Sequence, residues 1–318
     1  MRKRFVFQLI FCSLFVSLPA AAAEQRISID VPGGTLHGTL LTPDMFGKQP
    51  VALIIAGSGP TDRDGNSRLV PGRNDSLKLL AEALRDRGIA SLRYDKRGIG
   101  ESAPAGASEA DLRFTLYVDD AEAWGRYLRK APLAFGRLAV IGHSEGALLG
   151  LIAAQRLNAD RVVSIAGAGR PAHKVIHEQL ATRVSPEILK EADGILDQLV
   201  AGKIVEQAPS RELQGLFRPS VQPYMISWLK FDPAQEIAAA KMPVMIVQGT
   251  RDIQVGVTDA EALAKAQPRA RLELIEGMNH VMKLVGEDKK EVNAGYTDPT
   301  RPIATKLVDA VSAFIIKD

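Results

Sequence analysis

Leu138-Ala139-Val140-Ile141-Gly142-His143-Ser144-Glu145-Gly146-Ala147-Leu148-Leu149 is the stretch on which the reading of this chain turns. The apolar run 138–141 reads as a strand buried on both faces, and 147–157 reads as a helix. Only a few residues are left to join them, so the connection is a very tight strand-to-helix turn with Ser144 at its apex. Such a turn strains the apex residue and lifts its side chain clear of the sheet. Glycine at the −2 and +2 positions avoids collision between strand and helix, and Gly142 and Gly146 stand there. The pattern is G-x-S-x-G, with the serine hydroxyl presented as a nucleophile.

Working outward, apolar runs alternate with helical patterns for most of the length, which predicts a mostly parallel sheet covered by helices. Strands are expected at 26–31 and 35–41, joined by Pro32-Gly33-Gly34 as a hairpin, and then at 51–56, 89–94 and 138–141. Further strands are expected at 161–166, 244–247 and 271–275. Helices are expected at 76–86 with Asp75 as its cap, at 115–130, 147–157 and 259–266, and over 303–316. The alternation lapses between Pro171 and Asp232, where helical fragments appear, one opening at Ser185-Pro186-Glu187. This segment is expected to be a helical insertion over one end of the sheet, within one domain spanning 24–318.

The first 23 residues read differently. Arg2, Lys3 and Arg4 precede an apolar run from Phe5 to Leu18, and Pro19 to Ala23 supply the small residues of a cleavage site. The run is short for a bilayer span. A signal peptide over 1–23 is expected, with a mature protein that begins near Glu24, is periplasmic or secreted, and has no stable membrane insertion. Of the 40 Lys and Arg residues the leader holds three, so 37 remain against 37 Asp and Glu, and no basic excess points to nucleic acid. The one cysteine, Cys12, lies in the leader. The mature chain therefore has no disulfide and no thiol nucleophile.

A serine hydroxyl is a poor nucleophile until a base takes its proton. Two later strands are each followed by a residue suited to that task. Gln248-Gly249-Thr250-Arg251-Asp252 follows 244–247, and Glu276-Gly277-Met278-Asn279-His280 follows 271–275. Of the five histidines, at 37, 143, 173, 177 and 280, only His280 is expected in a loop after a late strand. An aspartate after a strand is by itself more often a turn former. Ser144, Asp252 and His280, in that order and each after a strand, fit nucleophile, orienting acid and base. Negative charge developing on a substrate oxygen needs two backbone N–H donors. Glu145, after the nucleophile, is expected to give one, and Ser58 of Gly57-Ser58-Gly59-Pro60 the other.

Thr61-Asp62-Arg63-Asp64-Gly65-Asn66 has the oxygen-rich look of half a calcium loop. It lacks the downstream glutamate, so no metal is expected. Leu216, Phe217, Tyr224, Met225, Trp228, Leu229 and Phe231 in the insertion suit the walls of an apolar pocket, with Phe217 and Trp228 foremost. They suit the insertion's own core equally well.

At these residues the chain resembles the α/β-hydrolase superfamily, and in particular its bacterial esterase-like branch, the serine aminopeptidase S33 or hydrolase-4 group. The likeness extends to Asp95-Lys96-Arg97-Gly98-Ile99-Gly100-Glu101-Ser102, to Asn279-His280-Val281-Met282-Lys283 and to Tyr296-Thr297-Asp298-Pro299. The chain departs from it in carrying Gly57-Ser58-Gly59 where many members have His-Gly. The resemblance implies an eight-stranded sheet, a cap at the insertion, no cofactor, a structural role for the 95–100 stretch, and hydrolysis through an acyl-enzyme. A small-molecule carboxylic ester is the expected substrate, since export makes CoA thioesters poor candidates. An exopeptidase is the alternative within the fold. A non-catalytic binding protein on the same scaffold is the alternative outside catalysis, and it expects at least one of the three positions to be lost.

Overall fold

The computed structural model describes residues 23–317 apart from 46, 70, 107, 131–134 and 208. All of the expected leader except Ala23 lies outside the described residues. The strands are β1 Ala23–Val31, β2 Gly34–Thr42, β3 Val51–Ile55, β4 Ala90–Tyr94, β5 Leu138–His143, β6 Arg161–Ile165, β7 Val244–Gly249 and β8 Arg271–Ile275. They form one eight-stranded sheet in the order β1-β2-β4-β3-β5-β6-β7-β8. β1 and β2 pair as an antiparallel hairpin and β2 is antiparallel to β4. Every remaining pairing is parallel.

The helices in chain order are α1 Ser76–Arg85, α2 Phe114–Lys130, α3 Glu145–Leu157, α4 Ala172–Ala181, α5 Pro186–Val200 and α6 Gln214–Phe217. They continue with α7 Gln222–Trp228, α8 Pro233–Ala238, α9 Val257–Ala266, α10 Lys289–Thr297 and α11 Thr305–Ile316. β3, β4 and β5 are buried at every residue; β3 and residues 138–141 of β5 read as apolar runs for that reason, whereas β4 also buries Ser91 and Arg93. One sheet face is covered by α2, α3 and α9, with Trp124, Leu149 and Leu263 in its core. The other is covered by α1 and α11, with Leu77, Leu80, Leu307 and Val311. Burying each such side chain is worth about 1.5–3 kcal/mol, which is how a chain without disulfides holds together.

The sheet order also locates the site. After β3 the chain moves outward to β4 on one side, then returns to lay β5 on the other. The loops leaving β3 and β5 therefore diverge and open a crevice beyond their carboxyl ends. Ser144 follows β5 and Gly57-Ser58-Gly59 follows β3, so both stand at this crevice.

α4–α8 fall between β6 and β7, where the alternation lapses; α4–α7 share a core of Ile176, Leu196, Leu199, Leu213, Phe217 and Met225, whereas Ile237 of α8 joins the core under α2, α3 and α9. Ser185 caps α5 by accepting from Ile188 N at 3.4 Å. Asp75 does not cap α1. Its backbone is left-handed, and its carboxylate is taken by Asn66 Nδ2 at 2.6 Å and Arg73 Nη2 at 3.0 Å. The free N–H groups at the start of α1 turn instead to Asn74 Oδ1 and the Asp64 carbonyl. α10 has no counterpart among the helices expected from the sequence.

Candidate active site

Ser144 sits at φ 56° and ψ −123°, in a region that costs a non-glycine residue about 1–3 kcal/mol. Two backbone hydrogen bonds hold it there, Ser144 N to Ile165 O at 2.9 Å and Ala147 N to Ser144 O at 2.9 Å. A Cβ on Gly142 would lie 2.0 Å from Gly146 O, and one on Gly146 would lie 2.5 Å from the Ile55 and Ala56 carbonyls. The turn thus closes only with glycine on both sides, as its tightness requires.

The loops after β7 and β8 bring Asp252 and His280 together. His280 Nδ1 lies 2.7 Å from Asp252 Oδ2. A carboxylate can only accept, so a ring proton sits on Nδ1, and in the neutral ring Nε2 keeps its lone pair. Asp252 Oδ2 also accepts from Gln248 Nε2 at 3.0 Å, and Oδ1 accepts from the Gln254 and Val255 amides at 2.8 and 3.0 Å. Burial pushes the Asp252 pKa up, but the His280 ring and the Val255 and Gln254 amides outweigh it and leave it below the ordinary carboxylate value. The Ser144 hydroxyl makes no hydrogen bond to His280 among the described residues. Catalytic contacts of this kind are often loose without substrate and tighten when it binds.

The elbow holds the His280 loop through a second histidine. His143 Nε2 lies 2.7 Å from the His280 carbonyl oxygen, and the two rings are 4.8 Å apart. The carbonyl fixes His143 with its proton on Nε2. Burial, and then the neighbouring His280 ring, lower its pKa to about 4, so it stays neutral.

Beyond β3, a Cβ on Gly57 would lie 3.1 Å from Ser144 Cβ, so this loop runs against the serine. The Ser58 N–H gives no hydrogen bond to any backbone carbonyl among the described residues. Glu145 opens α3, where N–H groups have no partner inside the helix. The Glu145 side chain points elsewhere. Its Oε2 pairs with Lys96 Nζ at 3.2 Å, and its Oε1 accepts from Tyr224 OH at 2.6 Å. Lys96 Nζ also donates to the Gly57 carbonyl at 2.5 Å and stands 5.2 Å from the centre of the Tyr117 ring.

Neighbours of Lys96 are structural. Asp95 accepts from Arg63 N, Arg63 Nη2 and Glu101 N, and Arg97 is paired with Asp120 at 2.5 Å. In the 61–66 loop the Asp62 carboxylate takes the amides of Asp64 and Asn66, and Asp64 pairs with Arg93 at 2.8 Å. Those oxygens hold the loop itself. Among the described residues no group of three or more His, Cys, Asp or Glu is placed to bind a metal ion.

The two insertion aromatics pack against the same core but differ in exposure. Phe217 is fully buried in the insertion's own core, which makes it a packing residue. Trp228 is partly exposed and stacks on Phe114 with ring centres 6.2 Å apart, beside Tyr224 and Phe231. Sequence reasoning missed the contacts of Gln248, His143 and Lys96, and it offered Tyr224 as a pocket wall without its bond to Glu145. Nothing in spacing announces which way these side chains turn, although Lys96 lies inside a stretch already singled out.

A sheet of this order with a serine elbow after β5 and an Asp–His pair after β7 and β8 defines an α/β-hydrolase, and the class is that of the serine hydrolases. The chain belongs to the serine aminopeptidase S33 family, whose model (Hydrolase_4) matches residues 69–287, more than half of it. It is 27% identical over 306 residues to esterase EstD of Thermotoga maritima, covering 94% of this chain and 69% of that protein. Among solved structures it resembles Est1E from Butyrivibrio proteoclasticus, with a TM-score of 0.59 and 18% identity over 91% of this chain and 97% of that one. It also resembles the Pyrococcus furiosus esterase Pf2001, with a TM-score of 0.56 and 16% identity over 92% and 90% of the two chains. At these identities the two structures bear on fold alone. Among the described residues no helix is long and apolar enough to cross a membrane.

Proposed function

We propose that the protein is an exported carboxylesterase working through an acyl-enzyme on Ser144. The observation that carries this reading is the 2.7 Å contact of Asp252 with His280 Nδ1, which leaves Nε2 as the proton acceptor. His280 takes the Ser144 proton as Oγ attacks the ester carbonyl. The negative charge passes to the carbonyl oxygen, where the Ser58 and Glu145 amides receive it. The oxyanion then collapses, the alcohol leaves with the proton from His280, and the acyl group stays on Oγ. Water attacks the acyl-serine by the same route and frees the acid. Asp252 holds the imidazole in its tautomer and stabilises the imidazolium throughout.

Trp228, backed by the buried Phe114 and flanked by Phe231, is the apolar surface offered to the substrate, and the insertion over 171–232 acts as its cap. The likeness to esterase EstD supports an ester over a peptide bond. The basic, apolar and small-residue start supports export to a periplasm or beyond, with cleavage near Glu24.

Purified mature protein assayed on nitrophenyl esters of graded chain length beside amino-acid nitroanilides tests the reaction. Ester turnover abolished by Ser144→Ala is the expected result, and turnover confined to the nitroanilides overturns the ester. N-terminal sequencing of the soluble protein tests export, which an intact Met1 excludes.

A further inference from the structure

We infer that Lys96 is a positioning residue for the transition state, holding the peptide that presents the Ser58 N–H to the substrate oxygen. This deepens the acyl-transfer reading and rests on it. The Gly57 carbonyl and the Ser58 N–H are two ends of one peptide group. In a planar trans peptide they point in opposite directions. Lys96 Nζ grips the carbonyl end at 2.5 Å, so the N–H end is aimed the other way. Gly57 lies against Ser144, with 3.1 Å between the serine Cβ and the place of a Gly57 Cβ, so that N–H is beside the nucleophile. A cation on the carbonyl also polarises the amide and strengthens its N–H as a donor.

The same lysine is tied to the second donor. Glu145 contributes a backbone N–H from the first turn of α3, and its side chain is the partner of Lys96 at 3.2 Å. One ion pair therefore joins the two proposed donors, which come from the ends of different strands. Tyr224, on α7 of the insertion, holds the other Glu145 oxygen at 2.6 Å. Lys96 is 1% exposed and Glu145 7% exposed. A buried pair of this kind contributes little net stability against an apolar replacement, because both ions must leave water. Stability thus gives a weak reason for a buried lysine here, whereas placement of the amide gives a specific one.

The test uses the mature full-length protein carrying Lys96→Met with Glu145→Gln, which keeps both backbone amides and strands no lone charge. With a nitrophenyl ester, kcat should fall about 10- to 100-fold, approaching the loss of one oxyanion donor, while KM stays within about threefold. A substrate-shaped trifluoromethyl ketone, which forms a tetrahedral oxyanion on the serine, should lose affinity by the same factor as kcat. The unfluorinated ketone should bind as before. A folded double variant with kcat and ketone affinity within about twofold of wild type overturns the inference, as does a rise in KM with unchanged ketone affinity. If the double variant does not fold, Tyr224→Phe removes a single hydroxyl from the same network. A parallel loss of about threefold or more in kcat and ketone affinity then supports the inference, and no loss in either overturns it. Ser144→Ala separates the two levels. Activity surviving that change defeats the acyl-transfer reading itself, whereas activity lost there but retained in the double variant defeats only the role of Lys96.

Discussion

His143 Nε2 lies 2.7 Å from the backbone carbonyl oxygen of His280, so the residue before the serine holds the loop that carries the proposed base. The contact ties elbow to base across 137 positions of sequence. His143→Phe keeps a ring but loses the donor. The His280 loop should then drift, and misplacement of about 1 Å costs up to 100-fold in rate. A fall in kcat of about 10- to 100-fold with little change in KM is expected from steady-state kinetics on a nitrophenyl ester.

The same histidine leaves a mark on stability. Unfolded, it takes up a proton near its ordinary 6.5, and folded only near about 4, because burial disfavours the charge. Between those values the unfolded chain binds more protons, so stability increases with pH across that window. About 3 kcal/mol is lost as pH falls from 6.5 to 4. In denaturant titrations at several pH values, His143→Phe should show a shallower slope in this window than wild type.

Asp252 is an anion satisfied on both oxygens, by His280, Gln248 and two amides. Asp252→Asn replaces an acceptor with a donor facing Nδ1, which forces the imidazole into the wrong tautomer. Turnover should drop by about four orders of magnitude while the protein still folds. Circular dichroism and single-turnover kinetics check the two halves of that statement.

Gly142→Ala should not yield a stable protein, because the added methyl meets the Gly146 carbonyl at 2.0 Å, where neither backbone can move. Soluble expression with a wild-type melting temperature would disprove the close packing of the elbow.

Phe217 and Trp228 should behave differently. Phe217→Ala opens a cavity in the insertion core and should cost about 3–5 kcal/mol with acyl preference unchanged. Trp228→Ala should cost less stability and reorder preference among acyl lengths. A panel of esters read beside thermal melts separates them.

The strands and the three proposed catalytic positions were legible because each rests on local pattern. Buried parallel strands are apolar runs, and the tight turn demands Gly142 and Gly146 by sterics alone. Asp75 misled, since it stands where a cap belongs, yet Asn66 and Arg73 compete for its carboxylate. Phe217 and Trp228 are both large aromatics eleven positions apart, and only packing tells which one reaches the surface. Lys96 reads as an ordinary charged residue between Asp95 and Arg97. That it turns inward to Gly57 is decided by contacts with the loop after β3 and the start of α3, which spacing does not encode.

The strand order also dictates when this molecule becomes competent. Ser144 is in place once β3, β5 and β6 have paired, but Asp252 and His280 depend on β7 and β8, the final strands made and the outermost on their side. With Asp252 and His280 as the proposed acid and base, a nascent or refolding chain can acquire most of its sheet while remaining inert. Regain of esterase activity should lag behind recovery of the far-ultraviolet signal, and the delay measures how long the last edge takes to dock.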